Sequence, residues 1–581
     1  MQKNISILDI MKKIRRETVL RRGGIGEEPG ELVGAYVGDV GDVSGPIYKK
    51  NEILMRGGEK VPNVPNVPAM EPLSPAVRPS PPILILDFET YFDAEYSLKK
   101  LHIPEYVFAP QFKIHGLAVA YPDGRAEFHS DAAAVIEDLQ KKYGVNLEKA
   151  LVVMHNAAFD LFILFHKFGV IPLLFTDTML LSRLLLGPTH PAGLKDLAQH
   201  FGFESKGDLG FMCGVSVPSV EQVRLLSEYA KTDVWITLKL AKQFLLNPDL
   251  PSRELAIIAH TVRSFVRSPF EIDGKLAVGA LGVTEALLKQ STAQTGYSLG
   301  EYSGRKSFSE VLSTVLKKHG RSLPTKPDKN GRPIPAVAKD DIAMQALLND
   351  PVEEIRDIAE AKMIVAATPN IMSKLMFLKN RATLPGAKLY PELAYHRAQT
   401  GRFAGSGGFN IQNLGHGERS EYMPTEIVTA ISEGIGVPEG CVLVASDASQ
   451  IEARILTLLA GESELHNAFA TGNDVYSDFA AATFGEKVQK SNGTSLEEQR
   501  MRALRQVGKM AVLGLGYGMG ASTFEKNLRS TPSVSALFDT DLLDTEKCER
   551  LVNGYRRKYQ GIPGFWREAE RSFRMAIAGV A

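Results

Sequence analysis

Length, composition and charge exclude several classes of protein. The chain has 581 residues, of which 44% are hydrophobic and 23% charged. This length is above that at which one hydrophobic core can serve the whole chain, so two to four domains are expected. Lys plus Arg and Asp plus Glu number 67 each, so nucleic-acid binding would rely on local basic patches. The three cysteines lie too far apart for a metal-ligand motif or a disulfide framework. With no apolar run long enough for a membrane span, we expect a cytoplasmic protein without a membrane partner.

The first 82 residues differ in composition from the rest of the chain. They end in VPNVPNVPAMEPLSPAVRPSPP, whose prolines favour an extended backbone and block regular helices. Residues 1–82 are therefore predicted to form a disordered tail and linker.

From residue 83 onward the sequence has strand and then helix patterns. ILILD at 83–87 and LVVMH at 151–155 are apolar runs typical of buried strands, and GLAVA and RAEFH between them indicate a further strand pair. Helical patterns follow at 159–169, 177–186, 193–201 and 220–245. Strands followed by helices predict an α/β domain with a mixed sheet over residues 83–250.

The rest of the chain is predicted to be mainly helical, with one strand-rich interval. Residues 251–384 have helical patterns interrupted by a basic, Pro-rich loop at 321–341. A strand-rich segment begins at 385 and leads to CVLVASD, an apolar run typical of a buried strand. Long helices are predicted over 449–484 and 497–528.

Four carboxylates in the α/β segment stand at positions that favour a metal site. Asp87 and Glu89 follow a buried strand, and because residues i and i+2 of a strand point to the same side, both can bind one metal. Asp160 opens a helix, and Tyr229 and Asp233 share one helix face through their four-residue spacing. Such hard oxygen ligands suit Mg²⁺ or Mn²⁺, and paired ions about 3.5 to 4 Å apart catalyse phosphodiester hydrolysis. Read singly, each acid is instead a strand-end or helix-cap residue.

These acids lie in three motifs whose order is specific. DFET after a buried strand, HNAAFD after a second and YAKTD on a helix resemble the DEDD proofreading 3′-5′ exonucleases of the tyrosine subclass, which have an RNase H-like fold. The resemblance implies that Tyr229 orients the attacking water, that Asn156 and Phe159 accompany the second motif, and that the substrate is a single-stranded DNA 3′ end. The ligands it implies for two Mg²⁺ or Mn²⁺ ions are Asp87, Glu89, Asp160 and Asp233.

Two later segments carry residues suited to duplex DNA and a nucleotide. TGRFAGSGGFNIQNL at 400–414 has a basic residue and three side-chain amides, which suit backbone and minor-groove contacts. In RQVGKMAVLGLGYG four residues recur along one helix face, namely Arg505, Lys509, Leu513 and Tyr517. The cationic side chains of Arg505 and Lys509 can bind a triphosphate, while Leu513 and Tyr517 can pack against a base and sugar. Taken alone, the pattern is also typical of an ordinary surface helix, in which a solvated row of basic residues lies beside a row of packed apolar residues.

Between these segments, VLVASDASQIEARIL places Asp447 at a strand end and Glu452 on the next helix. Together the three segments resemble family A DNA polymerases of the phage type, which implies a right-hand polymerase acting on primer-template DNA with dNTP as substrate and two metal ions. Asp447 and the Ala448 carbonyl would bind metal, and Lys509 would be the acid for the leaving pyrophosphate. The residues implied to contact dNTP are Glu452, which is the steric gate against ribose, Tyr476, Arg505, Lys509, Leu513 and Tyr517. Those implied to contact primer-template DNA are Arg402, Asn410, Gln412 and Asn413.

Three features depart from the family pattern. Leu513 stands where an aromatic residue is usual, which leaves sugar discrimination open, and Tyr476 replaces a His that assists the triphosphate. A phenol donates a hydrogen bond but adds no charge, so that contact is expected to be weaker. The family also needs a second palm aspartate in a His-Asp-Glu motif, and the 64 residues after Tyr517 contain none.

The missing aspartate leaves three hypotheses. The first, which we favour, is a split or truncated replicative polymerase whose palm is completed by a second polypeptide or was lost by truncation. The second is a stand-alone exonuclease with a DNA-binding remnant polymerase domain, and the third is a non-enzymatic DNA-binding subunit of a replisome. The predicted organisation is α/β and multidomain. Its segments are an exonuclease domain at 83–250, a helical thumb at 251–384, the first part of a palm at 385–461, and fingers with an incomplete return to the palm at 462–581.

Overall fold

The computed structural model of the chain describes residues 81–204, 207–327, 332–338, 341–348, 350–413, 423, 425–442, 448–491 and 495–579. Within these ranges the chain forms two compact units. The first contains the described residues of 81–287 and 367–442, and the second contains those of 288–366 and 448–579. Residues 1–80 of the predicted tail lie outside the described ranges. Among the helices of these ranges, none has the length and apolar character of a membrane span.

A mixed sheet of five strands forms the centre of the first unit. The strands are β1 (Ile83–Thr90), β2 (Ile114–Ala120), β3 (Ala126–His129), β4 (Leu151–Met154) and β5 (Leu174–Asp177). Their order is β3-β2-β1-β4-β5; β1 pairs antiparallel with β2 and parallel with β4, which pairs parallel with β5. Because the carboxyl ends of parallel strands lie at one edge of a sheet, residues that end β1, β4 and β5 meet there.

Helices pack around this sheet. They are α1 (Ile103–Phe108), α2 (Ala132–Tyr143), α3 (Ala157–Phe168), α4 (Thr178–Leu186), α5 (Leu194–His200), α6 (Val220–Leu245) and α7 (Ser252–Val266). A 3-10 turn spans Gly210–Met212. Helix α6 packs along β1, β2 and β3, whereas α3 packs against β1 and β4. Strand β4 and the first four residues of β1 are apolar because both faces of the sheet are covered there.

The first unit also contains chain from beyond residue 267. This part comprises β6 (Glu271–Ile272), the start of α8 (Gly274–Thr295), the 3-10 turns Pro385–Ala387 and Ile411–Asn413, and four short elements of the predicted palm. Tyr390 packs against Phe162 and Phe265, with ring centroids 5.1 and 6.0 Å apart, so the exonuclease-like core extends to residues predicted to lie in the palm.

The second unit is almost entirely helical. Its first helices are the end of α8, α9 (Leu299–Ser303), α10 (Arg305–Lys318), α11 (Ile342–Leu347) and α12 (Glu353–Arg381), whose last turns belong to the first unit. A hairpin of β7 (Thr325–Pro327) and β8 (Pro333–Pro335) lies between α10 and α11. The palm elements of the first unit are β9 (Leu393–Ala394), β10 (Ala404–Gly405), α13 (Thr425–Glu433) and β11 (Ile435–Gly436).

The remaining helices of the second unit share one apolar core. They are α14 (Ile451–Leu459), α15 (Ser463–Ala470), α16 (Val475–Phe484), α17 (Leu496–Leu515), α18 (Ala521–Arg529), α19 (Pro532–Ser535), a 3-10 turn at Ala536–Asp539, α20 (Thr545–Lys558) and α21 (Gly561–Ile577). Helix α17 lies at the centre of this group, where Leu504, Val507 and Leu515 are fully buried.

The predicted α/β fold with a mixed sheet is confirmed, and so are the four predicted helices that follow its strands. The sequence patterns missed α1, α2 and β5. The long helix predicted over 449–484 is wrong, because left-handed Gly461 and Gly472 end α14 and α15 and the Asp474 side chain caps α16. The helix over 497–528 likewise breaks after Leu515. The strand-rich interval after 385 is wrong for the described residues, which form only two-residue strands there.

Candidate functional site

The end of β1 carries the first two predicted metal ligands. Asp87 pairs with Ala118 and Glu89 with Gly116 across the antiparallel ladder, and the register shifts directly after Glu89. Bulges of this kind recur beside active sites because they redirect side chains. The side chain of Glu89 is buried and that of Asp87 is partly buried. Both acids therefore leave the same face of the strand at its carboxyl end.

Asp233 reaches these two acids from helix α6. A capping box between Ser219 and Gln222 begins this helix. The Asp233 side chain is 3% exposed, and one ligand oxygen from each of Asp87, Glu89 and Asp233 lies within 4.8 Å of the others. The structure thus brings three predicted metal ligands together from a strand and a distant helix.

Three carboxylates at this spacing favour a cation between them. Like charges a few ångströms apart repel each other strongly in a partly buried site, and a divalent cation removes that repulsion. Carboxylate oxygens are also the ligands that Mg²⁺ and Mn²⁺ prefer. When bound, such an ion supplies Lewis-acid activation of water and of a phosphoryl oxygen. Asp87, Glu89 and Asp233 therefore fit the predicted metal site by charge and by ligand chemistry.

Asp160 contacts the same strand in a different way. It lies buried in the first turn of α3, and its Oδ1 accepts a hydrogen bond of 2.8 Å from the backbone N–H of Phe88, between Asp87 and Glu89. Burial and then the Asp87 carboxylate raise the pKa of Asp160 well above its usual range. A cation beside Asp87 would favour the ionised form again. Asp160 stays a predicted ligand, held against the strand that carries Asp87 and Glu89.

Tyr229 lies one helical turn before Asp233 on α6 and packs partly against the core of the first unit. A Cβ atom on Gly207 would lie 3.3 Å from the Tyr229 ring, so the chain passes close to this phenol. The shared helix face agrees with the predicted role of Tyr229 in orienting water, which stays a prediction.

Sequence reasoning missed Asp177, a further buried acid beside the second motif. Asp177 ends β5, is 1% exposed, and accepts backbone hydrogen bonds from Asn156 and Ala157. A signal for it exists in the sequence, because LLFTD is an apolar run that ends in an acid, as ILILD is.

In the second unit, Arg505 is held by an acid that the sequence reasoning also missed. Its guanidinium donates to Asp474 twice, from Nε at 2.7 Å and from an Nη atom at 3.0 Å, and its Cζ lies 5.3 Å from the centroid of the Tyr476 ring. Burial alone would raise the pKa of Asp474, but the hydrogen bonds from Arg505 and Ser477 outweigh this effect and hold the pKa of Asp474 below its usual value. Burial also raises the pKa of Tyr476, which therefore remains a hydrogen-bond donor. The structure brings together two predicted dNTP-binding residues on α16 and α17.

Glu452 and Tyr517 also come together, because the Tyr517 hydroxyl donates a hydrogen bond to the Glu452 carboxylate. The prediction that Tyr517 shares the helix face of Arg505 is wrong in one respect: α17 ends at Leu515, and Tyr517 lies in the following turn. Lys509 is exposed on α17, and Leu513 packs partly against the apolar core.

The other predicted polymerase residues are only partly described. Asp447 and the Asn413 side chain lie outside the described residues, whereas the Ala448 carbonyl accepts a hydrogen bond from the Ile451 N–H at 3.2 Å. Arg402 and Gln412 are exposed, and the Asn410 side chain accepts a hydrogen bond of 3.0 Å from the Gln412 N–H. Their predicted roles in binding metal and DNA stay predictions.

Gly508 permits the close approach of α16 and α17 that places Tyr476 beside Arg505. A Cβ atom at Gly508 would lie 2.1 Å from the Tyr476 carbonyl oxygen, a contact with backbone that cannot be relieved by a rotamer change. We expect Gly508→Ala to lower the free energy of unfolding of the second unit by about 1–3 kcal/mol, because overpacking forces backbone shifts. Denaturant unfolding followed by Trp566 fluorescence in a Trp235→Phe background measures this, since the chain has two tryptophans.

Gly554→Ala is the matched control for Gly508→Ala. Gly554 lies in α20, and a Cβ atom there meets no atom within 4 Å. Alanine should therefore be neutral there or should stabilise the helix by about 0.5–1 kcal/mol. Equal unfolding midpoints for the two variants would contradict the close approach at Gly508.

Fold and site together define a class of protein in which an RNase H-like domain with a group of three close carboxylates precedes a mainly helical unit. Residues 111–247 match the family described as 3′-5′ exonuclease, and residues 286–577, just over half of the chain, match DNA polymerase family A. The chain belongs to DNA polymerase family A.

Several known proteins are similar to this chain. DNA polymerase I of Aquifex aeolicus is 28% identical over 394 residues, which are 64% of this chain and 61% of the relative. The DNA polymerase of Bacillus phage SP02 is 27% identical over 272 residues, covering 43% of this chain and 39% of the relative. The chain therefore spans less than two thirds of the length of these relatives. A solved structure, the POL domain of Pol1 from M. smegmatis in complex with DNA primer-template and dNTP, has the same fold with a TM-score of 0.57, 18% identity, and coverage of 80% of this chain and 73% of that one.

Proposed function

We propose that the protein is a DNA-templated DNA polymerase with a proofreading 3′-5′ exonuclease, acting in DNA replication. The observation that carries the exonuclease is the group formed by Asp87, Glu89 and Asp233, whose ligand oxygens lie within 4.8 Å of one another. Asp233 lies within residues 111–247, which match that family, and the two other acids lie on β1 of the same sheet domain. Membership of family A supports the polymerase activity.

In the exonuclease site, Asp87, Glu89, Asp160 and Asp233 would hold two Mg²⁺ or Mn²⁺ ions. Tyr229, on the same helix face as Asp233, orients the attacking water through its hydroxyl. Asp160 holds the strand between Asp87 and Glu89 in place through its hydrogen bond to Phe88. The substrate is the single-stranded 3′ end of a DNA primer.

In the polymerase site, Asp447 and the Ala448 carbonyl would bind metal, and Arg505 and Lys509 would bind the dNTP triphosphate. The bond between Tyr517 and Glu452 supports the steric gate, because it fixes the carboxylate that would meet a 2′-hydroxyl. Asp474 orients the guanidinium of Arg505 before a nucleotide binds. Primer-template DNA contacts Arg402, Asn410, Gln412 and Asn413.

A further polypeptide segment with the second palm aspartate would complete this site. Its proposed contact surface lies on α14 and α21, which pack together and expose large apolar side chains. Leu458 and Leu459 are each 60% exposed, Phe573 is 66% exposed and Ile577 is 72% exposed. Exposed apolar patches commonly mark interfaces between polypeptides. The proposed site of action is the cytoplasm, or the host cytoplasm for a phage protein.

Metal removal tests this proposal directly. With Mg²⁺, the purified full chain should shorten a 5′-labelled single strand from its 3′ end; EDTA should abolish the reaction, and excess Mg²⁺ or Mn²⁺ should restore it. Primer extension with dNTP should appear when a polypeptide carrying the His-Asp-Glu motif is added. Salt-dependent duplex binding without turnover in either metal would instead assign the protein to the non-enzymatic hypothesis.

A further inference from the structure

Asp177 connects two elements of the exonuclease domain through a single buried carboxylate. One oxygen accepts hydrogen bonds from Met179 at 2.8 Å and Leu180 at 3.3 Å, which cap the start of α4. The same side chain accepts bonds from Asn156 at 3.1 Å and Ala157 at 2.9 Å, at the start of α3. Four donors on one carboxylate exceed what a helix cap requires.

The start of α3 needs this support. Asn156 has φ 65° and ψ 52°, a left-handed conformation that is uncommon for residues with a side chain, and its own side chain makes no capping bond to the helix. The first N–H groups of a helix lack partners within the helix, so a carboxylate placed there also stabilises the positive end of its dipole. Asp177 supplies that carboxylate from the neighbouring strand.

One turn further along α3, Asp160 contacts strand β1, which carries Asp87 and Glu89. Its 2.8 Å bond to the Phe88 N–H lies between Asp87 and Glu89. A displacement of the α3 start would therefore move Asp160 relative to both acids. Groups that orient metal ligands in this way commonly change metal affinity by about 10- to 100-fold when they are replaced.

We propose that Asp177 is a positioning residue of the exonuclease site, which holds the left-handed start of α3 and thereby places Asp160 against β1. The inference rests on the proposed exonuclease function. Asp177 acts indirectly: it fixes the backbone of residues 156 and 157, and this backbone in turn positions Asp160.

Asp177→Asn separates the positioning role from the capping role. Asparagine caps helices about as well as aspartate, so the α4 cap is kept, but its amide group would face the Ala157 N–H with a donor. Asp131→Asn is the matched control, because Asp131 caps α2 through Ala133 and Ala134 at 3.1 Å and is exposed. Both substitutions change a helix cap of the same sheet domain, and only the first touches the start of α3.

The readout is Mn²⁺ binding to the full chain, measured from the EPR signal of free Mn²⁺. The Asp87→Ala variant measures how much Mn²⁺ binds outside the proposed site, and this amount is subtracted. Asp177→Asn should weaken Mn²⁺ binding about tenfold, and raised Mn²⁺ should restore its rate of 3′-end degradation. Asp131→Asn should keep the wild-type affinity. Equal affinities for Asp177→Asn and the wild type, or equal losses in both variants, would overturn the proposal.

A second variant covers the case in which Asp177→Asn does not fold. Asp177→Ser also retains the α4 cap, and its folding is checked by Trp235 fluorescence in a Trp566→Phe background. Unfolding of both variants would overturn the proposal, because Asp177 would then serve stability and not the site. If Mn²⁺ binding responds as expected and the wild type degrades no DNA, the proposed function fails while the role of Asp177 stands.

Discussion

Replacing Asp87 with alanine is expected to abolish Mg²⁺-dependent degradation of a single-stranded 3′ end, with a loss of about a thousandfold or more. Metal activation supplies several kcal/mol to phosphoryl chemistry, and each loss of about 1.4 kcal/mol lowers the rate tenfold. The measurement is the single-turnover rate on a labelled oligonucleotide at saturating Mg²⁺. Asp87 is the natural first choice because its carboxylate belongs to the group within 4.8 Å and also contributes to the raised pKa of Asp160.

Two controls accompany Asp87→Ala. Asp138→Ala removes an exposed acid on α2, where no metal site is proposed, and should keep the wild-type rate. Asp447→Ala should also keep 3′-end degradation, because its proposed role belongs to the polymerase site. Without metal, Asp87→Ala should unfold at the same or a higher temperature, because one of three repelling charges is gone. Full activity of Asp87→Ala would exclude the carboxylate group as the exonuclease centre.

Replacing Arg381 with methionine is expected to lower the free energy of unfolding of the first unit by about 3–5 kcal/mol. Arg381 is 0% exposed, and its guanidinium lies 3.3 Å from Glu392 and 3.6 Å from Glu105. Removal of Arg381 leaves the partly buried carboxylates of Glu392 and Glu105 with less compensation, which costs more than the ion pairs themselves contribute. Denaturant unfolding followed by Trp235 fluorescence in a Trp566→Phe background measures the loss.

Arg224→Met is the matched control, because Arg224 pairs with Glu221 and Glu228 on the exposed face of α6. Exposed pairs contribute about 0–1 kcal/mol, so this loss should be small. The loss for Arg381→Met should shrink at low pH. Burial raises the pKa of Glu392, and removal of Arg381 raises it further, so protonation at low pH neutralises the stranded charge. Equal losses for the two arginine variants would contradict this explanation.

The position of Arg381 also explains why the first unit includes residues predicted to lie outside the exonuclease domain. Glu105 belongs to α1, whereas Arg381 ends α12 and Glu392 follows it. His102 lies 3.4 Å from Glu392 on the other side. The ion pairs of the buried Arg381 with these partly buried acids tie the segment after α12 to the sheet domain, together with the aromatic contacts of Tyr390. The predicted boundaries at 250 and 384 stay predictions.

Much of the exonuclease site was readable from local patterns. An apolar run that ends in DFE predicts a buried strand with two acids on one face, and the spacing from Tyr229 to Asp233 predicts one helix face. The structure has both features. By contrast, Asp474 follows no apolar run and has no motif of its own, so nothing in its neighbourhood indicated the bond to Arg505, 31 residues away.

The sequence by itself determined strands β1 to β4 and helices α3 to α6 of the sheet domain, the motifs that place the chain in its family, and the residue types of both sites. These features depend on side-chain periods of two and 3.6 residues, which neighbouring residues set. Only the tertiary structure decided that Asp233 meets Asp87 and Glu89, that Asp177 holds the start of α3, and that Arg381 is buried among acids. Such contacts join residues far apart in the chain, so they depend on how whole elements pack and not on any local pattern.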